Sequence, residues 1–588
     1  MNVVSPASGT VSQGGASGAR PETPAAAGGV PAKKPRDQRL DFYRGIAMFI
    51  ILMAHIPGNL WTLWIPARFG FSDATEIFVF CSGFASAMAF GTLFLSRGFF
   101  LGIGRIAFRI WQVYWCHIGI LLISASIGWT IQSNGWGSPD VNYIARPYLV
   151  PMFDNTGATI VGALTLTYVP GLFDILPMYL VILALIPLVM AAYRLGGRPG
   201  VAVLVVGMWL AATMAGLSRQ AGEEDWTGPG GAIAAWSAAS GLFAWLNLPS
   251  RPWDTGTWFF NPFAWQLVFF TGFAFGMGWL PAPARSRWLM WIAVGVLVAS
   301  LPLAWHKLFP YLTGYWPEAW GGTYLWDARQ AIEPLRWKTW QGLFRFVHFL
   351  ALAYLAWYVA GPGGMRLNTG FQGRPVDPAR WPRIGAIGAA VAVLMIPYAY
   401  VEEIHALFPS VDAALRQVVP LVHGRWIGLL QIAHLAGLVT AVWAALGRER
   451  RAWVLGEGFL RVVPVIRKVG TQSLAVFVVS IPLAITLGWV LDVSGRTMLT
   501  GWMVNLGGAA VLIGVAYTAA WFRRQPWRQP APRQPAPRQP APRQPDPHQP
   551  DPRQAPAAGG GTVPAASALG TRLQQEATPR PGPALPTG

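Results

Sequence analysis

Two cysteines in 588 residues, Cys81 and Cys116, are too few for a disulfide framework. Both fall inside long apolar runs, so neither a disulfide nor a cysteine-built metal site is expected. Charge is scarce too: Asp, Glu, Lys and Arg make up 12% of the chain, about half the share usual in a soluble globular protein. Acid is the rarer sign, with 25 Asp and Glu against 44 Lys and Arg. No phosphate-binding glycine loop, dinucleotide glycine motif or His-Glu metal cluster is found, which removes support for an ATPase, an oxidoreductase or a zinc hydrolase. The N-terminus has no apolar core of the kind a cleavable signal peptide needs.

What is abundant is apolar and aromatic: 53% hydrophobic residues, 31 of them tryptophan. The fold class expected is an all-α polytopic integral membrane protein, a bundle of about 10–12 transmembrane helices with disordered N- and C-terminal tails. Spans of roughly the twenty residues a bilayer requires are read at 42–60, 74–95, 106–130, 172–193, 199–217, 262–282, 288–308, 341–361, 384–402, 424–446, 471–492 and 502–522. Residues 1–35 read as a disordered arm, 36–522 as the membrane domain, and 523–588 as a disordered tail. The tail's five-residue repeat with proline at two positions favours extended polyproline II. Its arginines either tether it to anionic lipid or keep it soluble.

Lys33, Lys34, Arg36 and Arg39 precede the first span, which places the N-terminus, and by span count the C-terminus, in the cytoplasm. Alternate loops are then short and basic, among them Arg448 through Lys468, so the positive-inside rule accounts for the net charge of +19 and no nucleic-acid partner is expected. The opposite loops, near 131–171, 218–261 and 309–340, are longer and rich in Trp, Tyr, Asn and Pro. They suit either a sugar acceptor or packing at the headgroup level. Residues 230–249 are too short for a span and read as a re-entrant or interfacial segment. Nothing in the sequence specifies an oligomeric state.

Ionisable groups inside an apolar span are costly, so each is a functional hypothesis. Arg44 and His55 share the first span eleven residues apart, which sets them on one helical stripe about 16 Å apart along the axis. Neutral histidine suits general-base work near pH 7, and arginine holds anions in a fork of donors. Asp41, one turn before Arg44, is placed to pair with it. Asp73 and Glu76 have capping-box spacing at the start of the second span, at a depth near that of His55. They either cap that helix or orient the imidazole as the third member of a relay. Arg105 and Arg109 either extend an anionic donor site with Arg44 or set topology. Asp174 and Asn261 read as helix caps, His306 and Lys307 as interfacial, and His117, His348 and His434 as hydrogen-bonded packing.

Arg44 to His55 matches the R-x10-H signature of the membrane-bound acyltransferase-3 superfamily. The wider run RDQRLDFYRG, HIPGN and FGFSDATEIFVFCSG resembles the OpgC family of membrane proteins associated with succinylation of osmoregulated periplasmic glucans. The resemblance extends to FDILPMYLVIL, FNPFAWQLVFFTGF, RFVHFLALAYL and GTQSLAVFVVSIPLA. It implies a multi-pass protein of the bacterial inner membrane that transfers an acyl group, succinyl by family, from cytosolic acyl-CoA to a glycan hydroxyl. His55 is then the general base and Arg44 the donor anchor. A glycan transporter or flippase, and a non-catalytic membrane partner of a polysaccharide assembly, are the other classes open to such a chain.

Overall fold

The computed structural model describes residues 37–223, 231–304, 324–371, 380–396, 410 and 427–527. The expected arm at 1–35, nearly all of the expected tail, and His306 and Lys307 lie outside them. Among the described residues there is no strand, only an isolated bridge between Pro249 and Thr257. Within the described residues, each of the expected spans falls on a helix. In chain order these are α1 Gln38–His55, α2 Ala74–Ser96, α3 Phe99–Ser133 and α4 Ile175–Glu223. Then follow α5 Pro262–Met277, α6 Arg287–Ala304, α7 Leu343–Ala360, α8 Trp381–Leu394 and α9 Ile427–Ala445. Helix α10 covers Phe459–Thr471, α11 Ser473–Ser494 and α12 Met498–Arg524.

Seven helices among the described residues are long and apolar enough to cross a membrane, from α2, α3, α4, α6, α7, α11 and α12. Helix α1 falls outside that set because Arg39, Asp41 and Arg44 crowd its first half. The expected spans at 172–193 and 199–217 both lie in α4, which breaks at Gly197, where φ is 59° and ψ is −148°. Large apolar side chains that remain exposed, such as Trp111 and Trp115 on α3, Trp288 and Trp291 on α6 and Trp502 on α12, form the surface a bilayer would cover. The described residues of the 230–249 stretch form a short helix, Gly231–Ser240, and a 3-10 turn, Ala244–Leu246, neither long enough to span.

The stretch from Arg448 to Lys468, read above as a basic loop, is instead mostly helix, ending in α10. Its arginines conceal the pattern from a hydropathy reading: α10 buries Val463, Val469 and Gly470 while Arg461 is exposed. This amphipathic helix lies against α1, which is enclosed by α2, α10, α11 and α12. The crossing is backbone on backbone. A Cβ at Gly45 would collide with the Ile466 carbonyl, and one at Gly470 with the Asp41 carbonyl. Small residues allow this approach where helix packing in lipid depends on close van der Waals contact. Gly470→Val is therefore expected to destabilise the bundle by at least the roughly 1–3 kcal/mol of an overpacked core, read as a lower melting midpoint of the purified protein. Helices α2 and α5 meet in the same way, Gly83 against Phe269 and Gly272 against Phe80. Helices α8 and α9 pack chiefly against each other, through Gly388 and Gly437.

Candidate active site

Helix α1 stops at His55, and the sequence HIPGN turns the chain away. Pro57 seats against Gly488 of α11. Gly58 has φ +74°, a conformation only glycine adopts without strain, and carries the Arg496 guanidinium over its Cα. Asn59 is buried and exchanges two hydrogen bonds with Asn505 of α12, each 2.9 Å, while also donating to the Met53 carbonyl at 3.0 Å. The end of α1 is thus pinned by two further helices. Asn505→Leu strands the Asn59 amide and should cost on the order of 1–3 kcal/mol of stability, measurable as a fall in thermal midpoint.

The imidazole is half-buried, and its Nδ1 lies 2.6 Å from the Ile51 carbonyl oxygen. A carbonyl only accepts, so the neutral ring carries its proton on Nδ1 and presents Nε2 as a lone pair. This is the tautomer a general base requires.

Facing this turn is the start of α2. Asp73 caps the helix by accepting from the Thr75 amide at 2.7 Å, and Glu76 accepts from the Asp73 amide at 2.8 Å, so the capping box expected from the sequence is present. The remaining carboxylate oxygens are taken by cations from the 338–345 region. Arg345 donates to Glu76 Oε1 from Nε at 2.9 Å and from Nη2 at 2.6 Å. Lys338 Nζ donates to Asp73 Oδ2 at 2.6 Å, and Arg345 Nη2 stands 3.6 Å from the same oxygen. One turn past Arg345 on α7, His348 Nδ1 meets the Ser72 hydroxyl at 2.7 Å and its amide at 3.3 Å. Two acids and two bases balance in charge. Glu76 is fully buried, whereas the Lys338 side chain keeps 33% of its exposure, so the cluster runs from the protein interior to an open edge.

Among the described residues no hydrogen bond joins Asp73 or Glu76 to the imidazole, so the relay expected from the sequence is not formed by direct contact. Nδ1 is oriented by the Ile51 carbonyl, and both Glu76 oxygens are engaged by Arg345 and the Asp73 amide. Arg345 lies 269 residues from Glu76 in sequence, and nothing local to α2 announced it. Lys338 and Arg345 are the residues that reading the sequence missed. The available signals were a lysine between Trp337 and Trp340, and an Arg-His pair at i, i+3 in an apolar span.

Lys338 also stands over the rings of Phe259 and Phe260, 5.7 and 5.4 Å from their centroids. The Phe260 amide donates to Asp174 Oδ2 at 3.1 Å, while Asp174 Oδ1 is buried without a hydrogen-bond partner among the described residues. Asn261 caps α5 as expected, accepting from the Phe263 and Ala264 amides.

Arg44 is only 6% exposed and donates to the Cys81 carbonyl of α2. It lies inside the α1–α2 contact and not at a surface mouth. Arg105 is exposed on α3, and Arg109 donates to Gln112 on the same helix at 3.3 Å. Helix α3 packs mainly on α4 and α11, so the structure does not gather these two arginines around Arg44. His434 bonds the Ala392 carbonyl at 2.7 Å, as packing between α8 and α9. His117 departs from the expected hydrogen-bonded packing, since its buried Nε2 has no partner among the described residues.

No curated protein and no solved structure matches the chain. The sequence pattern described as OpgC protein matches residues 36–376 and 364–524, two segments that meet between α7 and α8 and together take in His55, the α2 cap, Lys338, Arg345 and the α1–α10 crossing. A match over that much of the chain assigns this multi-pass helical protein to the OpgC protein family.

Proposed function

We propose that the chain is a membrane-bound O-acyltransferase that moves an acyl group, succinyl by family, from cytosolic acyl-CoA to a hydroxyl of a periplasmic or cell-envelope glycan. The observation that carries this reading is the contact of His55 Nδ1 with the Ile51 carbonyl at 2.6 Å, which assigns the ring proton to Nδ1 and leaves Nε2 to accept a proton. In the reaction Nε2 takes the proton of the sugar hydroxyl, the alkoxide oxygen attacks the thioester carbonyl, and the tetrahedral intermediate collapses. The thiolate of CoA leaves and the imidazolium returns the proton to it, so the ring is neutral again at the end.

The Asp73–Lys338 and Glu76–Arg345 pairs are the rigid wall beside this chemistry. They hold the start of α2 against α7, with Lys338 at the open edge. The donor's anionic handle enters from the opposite end of α1, where Arg44 is a cation buried against α2, while Arg105 and Arg109 stand apart from it on α3. The inner bacterial membrane, with both termini cytoplasmic, is the location that fits a cytosolic donor and an external acceptor. The test is to load inverted membrane vesicles containing the protein with glucan and add radiolabelled acyl-CoA outside. Label recovered in the glucan as an alkali-labile ester supports the reading. Glucan that is carried across the vesicle membrane unmodified supports transport instead.

A further inference from the structure

A donor that reaches His55 from the far end of α1 leaves the tail of its acyl group pointing past the histidine, into the turn that follows. A second charged group stands there, built on Asp492 near the end of α11. The Asp492 side chain is 2% exposed and each of its oxygens takes one arginine: Arg146 Nη1 meets Oδ2 at 2.6 Å, and Arg496 Nη2 meets Oδ1 at 2.6 Å. Two cations thus share one carboxylate, and no further acid pairs with either among the described residues. The group carries an excess positive charge, whereas the cluster of Asp73, Glu76, Lys338 and Arg345 is balanced. Each guanidinium spends a single nitrogen on Asp492, and neither makes another hydrogen bond among the described residues. The Arg146 side chain is 27% exposed and that of Arg496 47%, so their remaining N–H groups are open to a ligand.

Both arginines are held in place beside the histidine. The Arg496 guanidinium lies over Gly58, where a Cβ would stand 2.5 Å from Cζ and 2.8 Å from Nε and Nη2, so that only glycine leaves room for it. Gly58 follows His55 by three residues, which limits the separation of their Cα atoms to about 11 Å. Arg146 is backed by the buried ring of Tyr143, 5.6 Å from its centroid. Arginine forks fixed by one buried carboxylate are ordered in advance for the oxygens of a small anion, a carboxylate or a phosphate.

We propose that Arg496 and Arg146, braced on Asp492, form an anion subsite that receives the negatively charged group of the substrate reacting at His55. The assignment rests on the acyltransferase reading given above and makes Arg496 a specificity-determining residue, one that binds substrate and moves no proton. Its anionic oxygens belong to the tail of the acyl group or to an acidic substituent on the glycan; the direction of donor entry favours the acyl tail.

The test measures acyl transfer in inverted vesicles loaded with glucan, comparing succinyl-CoA with butyryl-CoA, whose acyl chain is as long but lacks the carboxylate. Arg496→Gln should lower kcat/KM for succinyl-CoA about 10- to 100-fold, the scale of a lost charged hydrogen bond, and change that for butyryl-CoA far less. Arg496→Lys should keep part of the preference for succinyl-CoA. Folding should survive, because Arg146 still neutralises Asp492, and an unchanged thermal midpoint checks this. The second arm replaces neutral glucan with carboxylated glucan. A loss in Arg496→Gln confined to the carboxylated acceptor supports the subsite and puts the anion on the glycan. Equal losses with both donors and both acceptors overturn the subsite and leave Arg496 a clamp between α11 and the turn after His55. Rates equal to wild type throughout overturn it as well. A thermal midpoint raised by phosphatidylglycerol in wild type but not in Arg496→Gln, with donor preference intact, overturns it in favour of a lipid headgroup. Wild-type protein that transfers neither acyl group removes the acyltransferase reading, and the subsite with it.

Discussion

His55→Gln is expected to lower acyl transfer by about 10²- to 10⁴-fold, the usual contribution of a positioned general base. The loss should fall on kcat, with KM for acyl-CoA close to wild type, because the donor's handle enters at the far end of α1. Folding should survive the change. The imidazole makes one hydrogen bond, to the carbonyl of the preceding turn, and the end of α1 is held independently by Pro57 on Gly488 and by the Asn59–Asn505 pair. Initial rates in vesicles with matched protein content would check this. A kcat within a factor of a few of wild type would take the base role away from His55.

The second large effect is on stability. Arg345→Leu removes the guanidinium that makes two hydrogen bonds to Glu76, a residue with no exposure at all. Breaking a buried pair from one side typically costs about 3–5 kcal/mol, since the abandoned charge has neither partner nor water. The variant should therefore be depleted from the membrane or melt far below wild type. Removing both partners is a different matter. Arg345→Met combined with Glu76→Leu replaces the pair with apolar side chains, and such replacements are often neutral or better. The double variant is expected to recover most of the lost stability, as measured by thermal denaturation in detergent, while the Lys338–Asp73 pair stays in place. A double variant no better than the sum of the two single ones would mean that the pair is not an isolated unit.

These effects follow unequally from the sequence. The helices were legible because a bilayer demands long apolar runs, and each run is where a helix lies. The capping box at Asp73 and Glu76 was legible because it is local, with its partners within three residues. The Arg44–His55 stripe was legible because helical spacing alone defines it. Helix α10 was hidden because Arg461, Arg467 and Lys468 lower its hydropathy, although Gly470 opening the GTQSL motif marks where it touches α1. The partners of Glu76 and Asp73 were hidden for a different reason. Arg345 and Lys338 reach the start of α2 only through the tertiary fold, across more than 260 residues. A capping box therefore gave no hint that its free oxygens were the centre of an ion-pair cluster. The tautomer of His55 was equally out of reach, since it depends on the last turn of α1 ending where it does.

The central claim, that this OpgC-family protein places an acyl group on a glycan hydroxyl with His55 as base, is tested most directly by mass spectrometry of envelope glycans. The strains needed are a deletion complemented with wild type, with His55→Gln, or with nothing, the two proteins being present at equal level in the membrane. The account predicts a defined mass increment on the glycan with wild type, sensitive to mild alkali and absent in the other two strains. Its mass would name the acyl group. Identical glycan masses in all three strains would contradict the account.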